Sequence, residues 1–287
     1  MGPVVSGPTA RLLPDGERLH LQHGPIDLII GAEGDRKTAF RAAWTRFRTI
    51  LEELVTELPL LRQEVGQMPQ GPTAQRMTRA CQPHAPIFVT PMAAVAGSVA
   101  EEVLAAMTSA TPLRRAYVNN GGDIAFHLAK GERFRMAIAG LDGTALGRVD
   151  VGHSDLARGI ATSGQGGRSL SFGIANAVTV LARSASEADV AATLIANAVD
   201  LPGHSAITRT PANTLQPDSD LGARLVVTNV GPLTEAETAA ALDRGEATAR
   251  SICARGLALS CALFLNGQSR LTGMPQSLTL DRSLVHA

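Results

Sequence analysis

A chain of 287 residues with 45% hydrophobic side chains is long enough to bury a sizeable core, and its length fits one large domain or two interlocked halves. Its 26 Lys and Arg residues balance 26 Asp and Glu residues, so no basic field favours nucleic acid or an anionic membrane. Only 3% of the residues are aromatic, which argues against stacking platforms for single-stranded nucleic acid.

Strands followed by a helix are the first elements predicted in chain order. Apolar segments between Leu12 and Ile30 are interrupted twice by Pro and Gly residues, a pattern that predicts strands joined by turns. Helical spacing of apolar residues then runs from Lys37 to Val65, and we expect that helix to end at Pro59. The segment from Gly66 to Pro86 is rich in Pro, Gln and Gly and is predicted to be a loop or lid.

A second helix and a group of short strands are predicted next. Thr90 and Pro91 indicate a helix start, because Thr can cap a helix and Pro suits its first position. One face of that helix carries small residues, so that either a sheet or a cofactor could approach it closely. Four short apolar runs bounded by turns then predict an antiparallel meander. Their ranges are Arg115–Val118, Ile124–Ala129, Phe134–Ala139 and Leu146–Val151.

Strands and helices alternate in the C-terminal half. Thr234 and Glu237 have the spacing of a capping box and indicate where the last helix begins. A polar segment with several Pro residues, ending near Ser219, is predicted to be a loop. The predicted elements are a strand at Ala175–Ala182, a helix at Ser186–Ala198, a strand at Ala223–Asn229, a helix from Thr234 to about Arg255 and a strand at Ala258–Leu265.

The three cysteines and the N-terminal segment indicate the cellular compartment of the chain. Cys81, Cys253 and Cys261 lack the spacing of a zinc site. Because the last two lie in an apolar region, we interpret them as inert buried thiols rather than redox or nucleophilic groups. The N-terminal segment has no apolar stretch of a secretory signal, and no run reaches transmembrane length. We therefore predict a cytoplasmic location, with no membrane or nucleic-acid partner.

The segment Asn119-Asn120-Gly121-Gly122-Asp123 places two glycines among polar side chains between two apolar runs. Such a turn brings bare backbone and a carboxylate close to a ligand. The competing interpretation is a glycine-rich hairpin turn without a ligand. The additional polar residues favour a site.

A second glycine-rich segment, Thr162–Ser169, offers three glycines, three hydroxyls and Arg168. Successive backbone N–H groups can bind an anion there, while Arg168 neutralises phosphate charge. The segment is not a P-loop, because no Gly-Lys-Ser/Thr follows. Composition fits a tight solvated turn between strands equally well.

Asp189 and Thr193 stand four residues apart on a predicted helix, so their oxygen atoms lie on the same face. Hard oxygen ligands suit magnesium or calcium. The competing interpretation places Asp189 in the first turn of the helix, where carboxylates are favoured anyway, and treats Thr193 as a packing residue. Spacing alone favours this second interpretation.

Taken in chain order, these segments resemble the ApbE family, which transfers FMN from FAD to a Thr or Ser hydroxyl of a partner flavoprotein using magnesium. The similarity spans about Pro91 to Ala198 and is greatest to an uncharacterised cytoplasmic branch of that superfamily. The motifs that carry it are Pro91-Met92-Ala93-Ala94-Val95-Ala96-Gly97, Asn120-Gly121-Gly122-Asp123, Ala161-Thr162-Ser163-Gly164 with Ser169-Leu170-Ser171-Phe172-Gly173, Ala177-Val178-Thr179-Val180, and Ala188-Asp189 with Ala192-Thr193.

The resemblance implies an α+β fold of the ApbE type, with antiparallel or mixed sheets, packed helices and a ligand cleft between two interlocked halves of one domain, residues 1–287. It implies FAD or FMN as ligand, a flavoprotein acceptor, and Mg²⁺ held by Asp189, Thr193 and a backbone carbonyl near Ala177. In such a site Asp123 would accept the hydroxyl proton and Arg168 would stabilise developing charge. Nucleotide binding is predicted for Asn119, Asn120, Gly121, Gly122, Thr162, Ser163, Gly164 and Ser169.

Two departures from the ApbE pattern keep other functions open. The family usually carries Lys-Gly where this chain reads Ala96-Gly97-Ser98, and a His where it reads Gly167-Arg168. The missing Lys and His favour a flavin- or nucleotide-binding protein without transfer activity, or a hydrolase or ring-opening enzyme for a small metabolite that uses the same cleft. The sequence leaves both a monomer and a homodimer open.

Overall fold

The computed structural model describes residues 7–139, 145–167, 169–273 and 278–280. Helices and antiparallel sheets form within these ranges, which confirms the α+β class. The helices are α1 (Arg36–Leu61), α2 (Pro72–Cys81), α3 (Val95–Ala110), α4 (Ala185–Ala198), α5 (Ala212–Leu215) and α6 (Glu235–Ala254). The strands are β1 (Thr9–Leu12), β2 (Arg18–His23), β3 (Ile26–Gly34), β4 (Leu113–Asn120), β5 (Asp123–Leu128), β6 (Arg133–Ala139), β7 (Ala145–Gly152), β8 (Gly159–Ser163), β9 (Ala177–Ala182), β10 (Ile207–Pro211), β11 (Leu225–Val230), β12 (Ser260–Leu265), β13 (Gln268–Gly273) and β14 (Leu278–Leu280).

The chain divides into two compact units, each built from several segments. The first unit comprises Met1–Arg133, Gly152–Ile160 and Arg183–Glu187, and the second comprises Phe134–Val151, Ala161–Ala182 and Ala188–Ala287. A single domain with one ligand cleft therefore stays a prediction. Among the described residues, none of the helices combines the length and the hydropathy that a membrane span requires.

The first unit contains an antiparallel sheet whose strands follow chain order, β1-β2-β3-β4-β5. Side chains of β2 alternate between buried and exposed, so Leu19 and Leu21 enter the core while their neighbours face outward. Helices α1 and α3 pack against each other, and α3 also packs on β4 and β5. Their apolar faces, which include Phe47, Ile50 and Val103, are buried. Burial of these faces against the sheet supplies the hydrophobic driving force for this unit.

Two predictions for the first unit are wrong. Helix α1 continues through Pro59 and ends at Leu61, whose side chain is buried. Pro59 removes one intrahelical hydrogen bond, and only two helical residues follow it. The predicted loop between Gly66 and Pro86 contains helix α2. Pro72 occupies the first turn of α2, where proline is tolerated, and Met77 and Cys81 lie four residues apart on its buried face.

The second unit contains three sheets or parts of sheets. Strand β12 pairs antiparallel with β9 on one side and with β13 on the other, and every residue of β9 and β12 is buried. Strands β10 and β11 form a two-stranded antiparallel sheet, and β6, β7 and β14 form a three-stranded sheet. The predicted four-strand meander is therefore wrong, since β4 and β5 belong to a different sheet from β6 and β7. Strand β10 also lies inside the predicted polar loop.

Helix α6 begins as predicted, with a complete capping box. The Thr234 hydroxyl accepts a hydrogen bond from the Glu237 backbone N–H, and the Glu237 carboxylate accepts one from the Thr234 backbone N–H. His204 adds a hydrogen bond to the same carboxylate at 2.9 Å. These contacts lower the pKa of Glu237 to about 2, with the His204 hydrogen bond as the largest cause. The start of α6 is therefore strongly specified by local chemistry.

Arg46 connects three helices of the first unit. Its guanidinium donates to both carboxylate oxygens of Glu53 at 2.8 and 2.7 Å and to Glu102 on α3 at 2.9 Å. Arg76 on α2 donates to the other oxygen of Glu102 at 2.8 Å. Burial raises the pKa of Glu102, but the hydrogen bonds from Arg46 and Arg76 outweigh it and hold the pKa below its usual range. The Glu102 carboxylate therefore ionises more readily in the folded protein than in the unfolded chain.

Arg46→Met is expected to lower the free energy of unfolding at neutral pH by about 2 kcal/mol, because it leaves half-buried carboxylates with fewer partners. A lowered folded pKa contributes stability that is present above the unfolded pKa and lost as pH falls. The difference between wild type and variant should therefore shrink between about pH 5 and about pH 3. Urea unfolding of both proteins at a series of pH values measures this difference in the free energy of unfolding.

Arg250→Met is the matched control for that experiment. Arg250 is paired with Glu246 one helical turn away, and its side chain is 69% exposed. Exposed pairs of this kind contribute little, so the control should change stability by less than about 0.5 kcal/mol at every pH. A loss in Arg46→Met no larger than that in Arg250→Met would contradict the assignment of Arg46 as a helix-connecting residue.

Candidate functional site

The Gly121-Gly122 pair forms a two-residue turn between β4 and β5, with Asn120 opposite Asp123 in the strand pairing. Both glycines have positive φ, 67° and 114°, as a tight hairpin turn requires. The Asn119 side chain accepts a hydrogen bond from the Gly122 backbone N–H at 2.8 Å. This agrees with the hairpin interpretation and leaves Gly121 exposed at the tip. Bare backbone and the half-buried Asp123 lie together at this end of the first unit.

Asn120 has a structural contact. Its side chain is buried and its amide group donates to the Ala96 carbonyl oxygen at 3.1 Å, so the hairpin is held to the first turn of α3. That turn is packed closely as well, since a Cβ added at Gly97 would lie 2.2 Å from the Ala185 carbonyl oxygen. For the small face of α3, the structure therefore supports packing against protein at Gly97 rather than against a cofactor.

The start of α4 is held by a carboxylate of α3. Glu101 accepts hydrogen bonds from the Ser186 backbone N–H at 2.6 Å and from its hydroxyl at 2.9 Å. Burial and the nearby charge of Glu101 raise the pKa of Glu187, although hydrogen bonding to Ser184 opposes them. Carboxyl groups with shifted pKa values are common at functional sites, but ion-pair networks shift the pKa of carboxyl groups too. Sequence spacing did not single out Glu187, because its pKa depends on a residue 86 positions earlier in the chain.

In the second unit, the end of β8 lies against the start of β9. The Thr162 and Thr179 hydroxyl oxygens are 2.9 Å apart, and the Gln165 backbone N–H donates to the Ala175 carbonyl oxygen at 2.8 Å. A Cβ added at Gly164 would lie 2.4 Å from the Asn176 carbonyl oxygen. Only glycine therefore fits at position 164 without movement of the backbone.

Strand β12 supports the start of β9. The Asn176 backbone N–H donates to the Phe264 carbonyl oxygen at 2.9 Å, and the Asn176 side chain accepts from the Asn266 backbone N–H at 2.6 Å. Ala177, the residue whose carbonyl is predicted to bind metal, is the first residue of β9 and is buried. The Thr162–Gly164 segment and the Asn176-Ala177 segment are thus neighbours in the fold.

The loop after Ser169 is anchored to the second half of α4. The Asn197 side chain accepts a hydrogen bond from the Phe172 backbone N–H at 2.9 Å, and Arg209 donates to the Phe172 carbonyl oxygen at 2.6 Å. A Cβ at Gly173 would lie 2.1 Å from the Ala196 carbonyl oxygen. Sequence reasoning missed Asn197 and Arg209, and no local signal could have found them.

Asp189 and Thr193 both lie on α4, and both are half-buried. Their spacing of four residues places them on one face of that helix, with Thr193 one turn before Asn197. Ser169 is exposed, and Arg168 lies outside the described residues. Among the described residues no group of three or more His, Cys, Asp or Glu side chains could hold a metal ion.

The predicted site residues fall into two sets. Asn119, Asn120, Gly121, Gly122 and Asp123 belong to the first unit. The second unit holds Thr162, Ser163, Gly164, Ser169, Ala177, Asp189 and Thr193. Within each unit the structure brings neighbouring motifs together, and the convergence of both sets on one cleft stays a prediction.

Comparison with known proteins shows sequence similarity to UPF0280 proteins. It is 32% identical over 181 residues to a UPF0280 protein of Methanothrix thermoacetophila, covering 62% of this chain and 75% of that protein. It is 40% identical over 111 residues to a UPF0280 protein of Archaeoglobus fulgidus, covering 39% of this chain and 45% of that protein. The chain thus spans three quarters of the first relative and about half of the second.

Two further matches cover nearly the whole chain. A solved structure, the apo form of the flavinyl transferase ApbE of Pseudomonas stutzeri, is similar with a TM-score of 0.40 and 14% identity, covering 97% of this chain and 95% of that chain. A family model described as "AbpE bacteria" matches residues 10–271. The family model, which matches residues 10–271, confirms the family inferred from the motifs. Because that model spans most of the sequence, the chain belongs to the AbpE bacteria family.

Proposed function

We propose that this protein binds a flavin nucleotide and transfers FMN from FAD to a Thr or Ser hydroxyl of a partner flavoprotein, with magnesium as the cofactor. The observation that carries the proposal is the Thr162–Gly164 segment folded against Asn176 and Ala177, with no room for a Cβ at Gly164. Two motifs of the ApbE resemblance thus form one backbone surface. Membership of the family supports the same assignment.

The chemical types of the donors proposed on α4 and β9 suit a magnesium ion. They are all oxygen atoms, comprising the Asp189 carboxylate, the Thr193 hydroxyl and the Ala177 carbonyl, and both side chains are half-buried. Magnesium prefers oxygen ligands and usually keeps only one or two protein carboxylates, taking the rest from phosphate and water. Held there, the ion would neutralise charge on the diphosphate of FAD.

The remaining steps belong to residues of this chain. Backbone N–H groups of the Gly121-Gly122 turn and of the Thr162–Gly164 segment would hold the diphosphate, and Arg168 would neutralise charge that develops on it. Asp123 would accept the proton of the acceptor hydroxyl. The hydroxyl oxygen then bonds to the phosphorus of the FMN half, and the bond from that phosphorus to the bridging oxygen breaks. The products are FMN-modified protein and AMP.

A flavin-binding protein without transfer activity is the second candidate. The position that resembles the family Lys is Ala96, whose carbonyl oxygen accepts the Asn120 side chain. A methyl group there supplies no positive charge to a phosphate. This observation favours binding over transfer, and the two functions differ in whether AMP is released. Cytoplasmic location is part of both proposals.

Incubation of the protein with FAD, Mg²⁺ and a candidate flavoprotein acceptor tests the proposal. We expect AMP in solution and covalent flavin fluorescence on the acceptor after denaturing electrophoresis. FMN is the matched control donor, because it lacks the AMP leaving group and should give no product. Binding of FAD without AMP release would support the second candidate. Absence of FAD binding by calorimetry, with or without Mg²⁺, would contradict both and direct attention to small-metabolite hydrolysis.

A further inference from the structure

Cys253 and Cys261 form a close pair of thiols in the second unit. Cys253 lies in the last turn of α6, Cys261 lies near the start of β12, and their Sγ atoms are 3.7 Å apart. Both are free cysteines, and their sulfur atoms share a hydrogen bond. Sequence alone favours two separate inert thiols, because a spacing of eight positions does not show that the side chains meet.

The chain between them fixes this proximity. The Leu257 backbone N–H donates to the Ile252 carbonyl oxygen at 3.1 Å, and the Gly256 N–H donates to the Cys253 carbonyl oxygen at 2.9 Å. These two bonds, with Gly256 at φ 73°, are a Schellman motif that ends the helix. The Leu259 N–H then donates to the carbonyl oxygen of Leu181 in β9 at 2.8 Å. The geometry of the pair is thus built into the backbone.

The two thiols are chemically unequal. Cys253 is partly accessible to solvent, whereas Cys261 is completely buried on a strand with neighbours on both sides. The hydrogen bond with Cys261 lowers the pKa of the Cys253 thiol, although burial opposes this. The same hydrogen bond, together with burial and the charge of Cys253, raises the pKa of Cys261 well above its usual value. An accessible, more acidic thiol beside a buried partner is typical of cysteine pairs in which the first thiol is oxidised and the second then forms a disulfide with it.

We propose that Cys253 and Cys261 are a site of reversible disulfide formation by hydroperoxides. The Cys253 thiolate attacks the terminal peroxide oxygen and the O–O bond breaks. The products are a sulfenic acid and a hydroxide or alkoxide, which takes a proton to become water or an alcohol. The Cys261 sulfur, after losing its proton, attacks the Cys253 sulfur, the S–O bond breaks, and the hydroxyl group leaves as water with that proton. Two thiols and one hydroperoxide give one disulfide, one water and one alcohol or second water. A dithiol reductant reverses the change.

Oxidation of the whole chain with hydrogen peroxide tests this assignment. We expect loss of two of the three thiols, a mass decrease of two hydrogen atoms, and a peptide in which Cys253 is joined to Cys261. Dithiothreitol should restore both thiols. Cys81→Ala is the matched control, because Cys81 is buried and donates to the Thr90 carbonyl oxygen instead, so this variant should behave as wild type.

Two variants separate the roles. Cys253→Ala should lose thiols at least about tenfold more slowly, because the remaining thiols are buried. Cys261→Ala should accumulate a sulfenic acid at Cys253 that dimedone traps. The proposal is overturned if peroxide leaves all three thiols of the wild type intact, oxidises Cys81 first, or gives only disulfides between molecules. The linked peptide from the wild type decides the question even if a variant fails to fold.

Discussion

Gly97→Ala is expected to lower the free energy of unfolding by about 2 kcal/mol, although alanine is the better helix former by about 1 kcal/mol. The added Cβ would lie 2.2 Å from the Ala185 carbonyl oxygen, 2.5 Å from the Ala185 carbonyl carbon and 2.8 Å from the Ser186 backbone nitrogen. All three are backbone atoms, so no side-chain rotation relieves the overlap. Helix α3 would have to move away from the start of α4, which Glu101 also holds.

The sign of the change in the free energy of unfolding distinguishes two effects of Gly97→Ala: steric overlap lowers it, whereas helix propensity raises it. Urea unfolding followed by the fluorescence of Trp44 measures it, since Trp44 is the one tryptophan and lies on α1, which packs against α3. Gly66→Ala is the control, because Gly66 is exposed and the nearest atom to its added Cβ is 3.7 Å away. That variant should be neutral or slightly stabilising. A stabilised Gly97→Ala would mean that α3 and α4 are not in close contact at this residue.

Sequence patterns predicted those elements whose cause is local. The capping box at Thr234 and Glu237 forms within one turn, and the Gly121-Gly122 hairpin needs only two residues with positive φ. The same kind of reasoning missed helix α2, because the Pro and Gln content of its segment is typical of a loop. Its buried face becomes decisive only when α3 packs against it. In this segment, tertiary packing therefore overrides the local structure that the composition favours.

Strand pairing was the part that the sequence could not show. Four short strands in succession predict a meander, yet β5 pairs with β8 rather than with β6. The pairing Ile124 with Ile160 closes a long loop, and no local spacing encodes that choice. Strands β10 and β13 were missed for a related reason, since several of their residues are only half-buried and polar.

The candidate site was predicted in its motifs but not in its supports. The Ala-Thr-Ser-Gly motif that ends at Gly164 can be recognised in the sequence, and its glycine requirement has a physical cause in the approach of the Asn176 carbonyl oxygen. The anchors Asn197 and Arg209 are ordinary polar residues until the fold brings them to Phe172. The thiol contact of Cys253 with Cys261 is likewise tertiary. Motifs identify chemistry, whereas positioning residues emerge only from the packed structure.

Asp189→Asn is expected to weaken FAD binding in the presence of Mg²⁺ by at least about tenfold, which is about 1.4 kcal/mol, while binding without Mg²⁺ stays unchanged. The reason is that a carboxylate contributes far more to a hard dication than a neutral amide does. Thr193→Val should lose less, because it removes only an uncharged oxygen. Asp189 is half-buried rather than fully buried, so the variant should retain the wild-type circular dichroism. Calorimetric titration of FAD, with Mg²⁺ and with a chelator, measures all three proteins.

Glu187→Gln is the matched control, since it removes one negative charge from the same helix. Two residues along an α-helix correspond to a rotation of about 200°, so Glu187 and Asp189 lie on different faces of α4. The magnesium dependence of FAD binding should survive in Glu187→Gln and disappear in Asp189→Asn. Equal losses in both variants would point to the general charge of the helix rather than to a ligand. Unchanged affinity in Asp189→Asn would mean that the family fold is kept without its metal site, and the function without transfer activity would then be preferred.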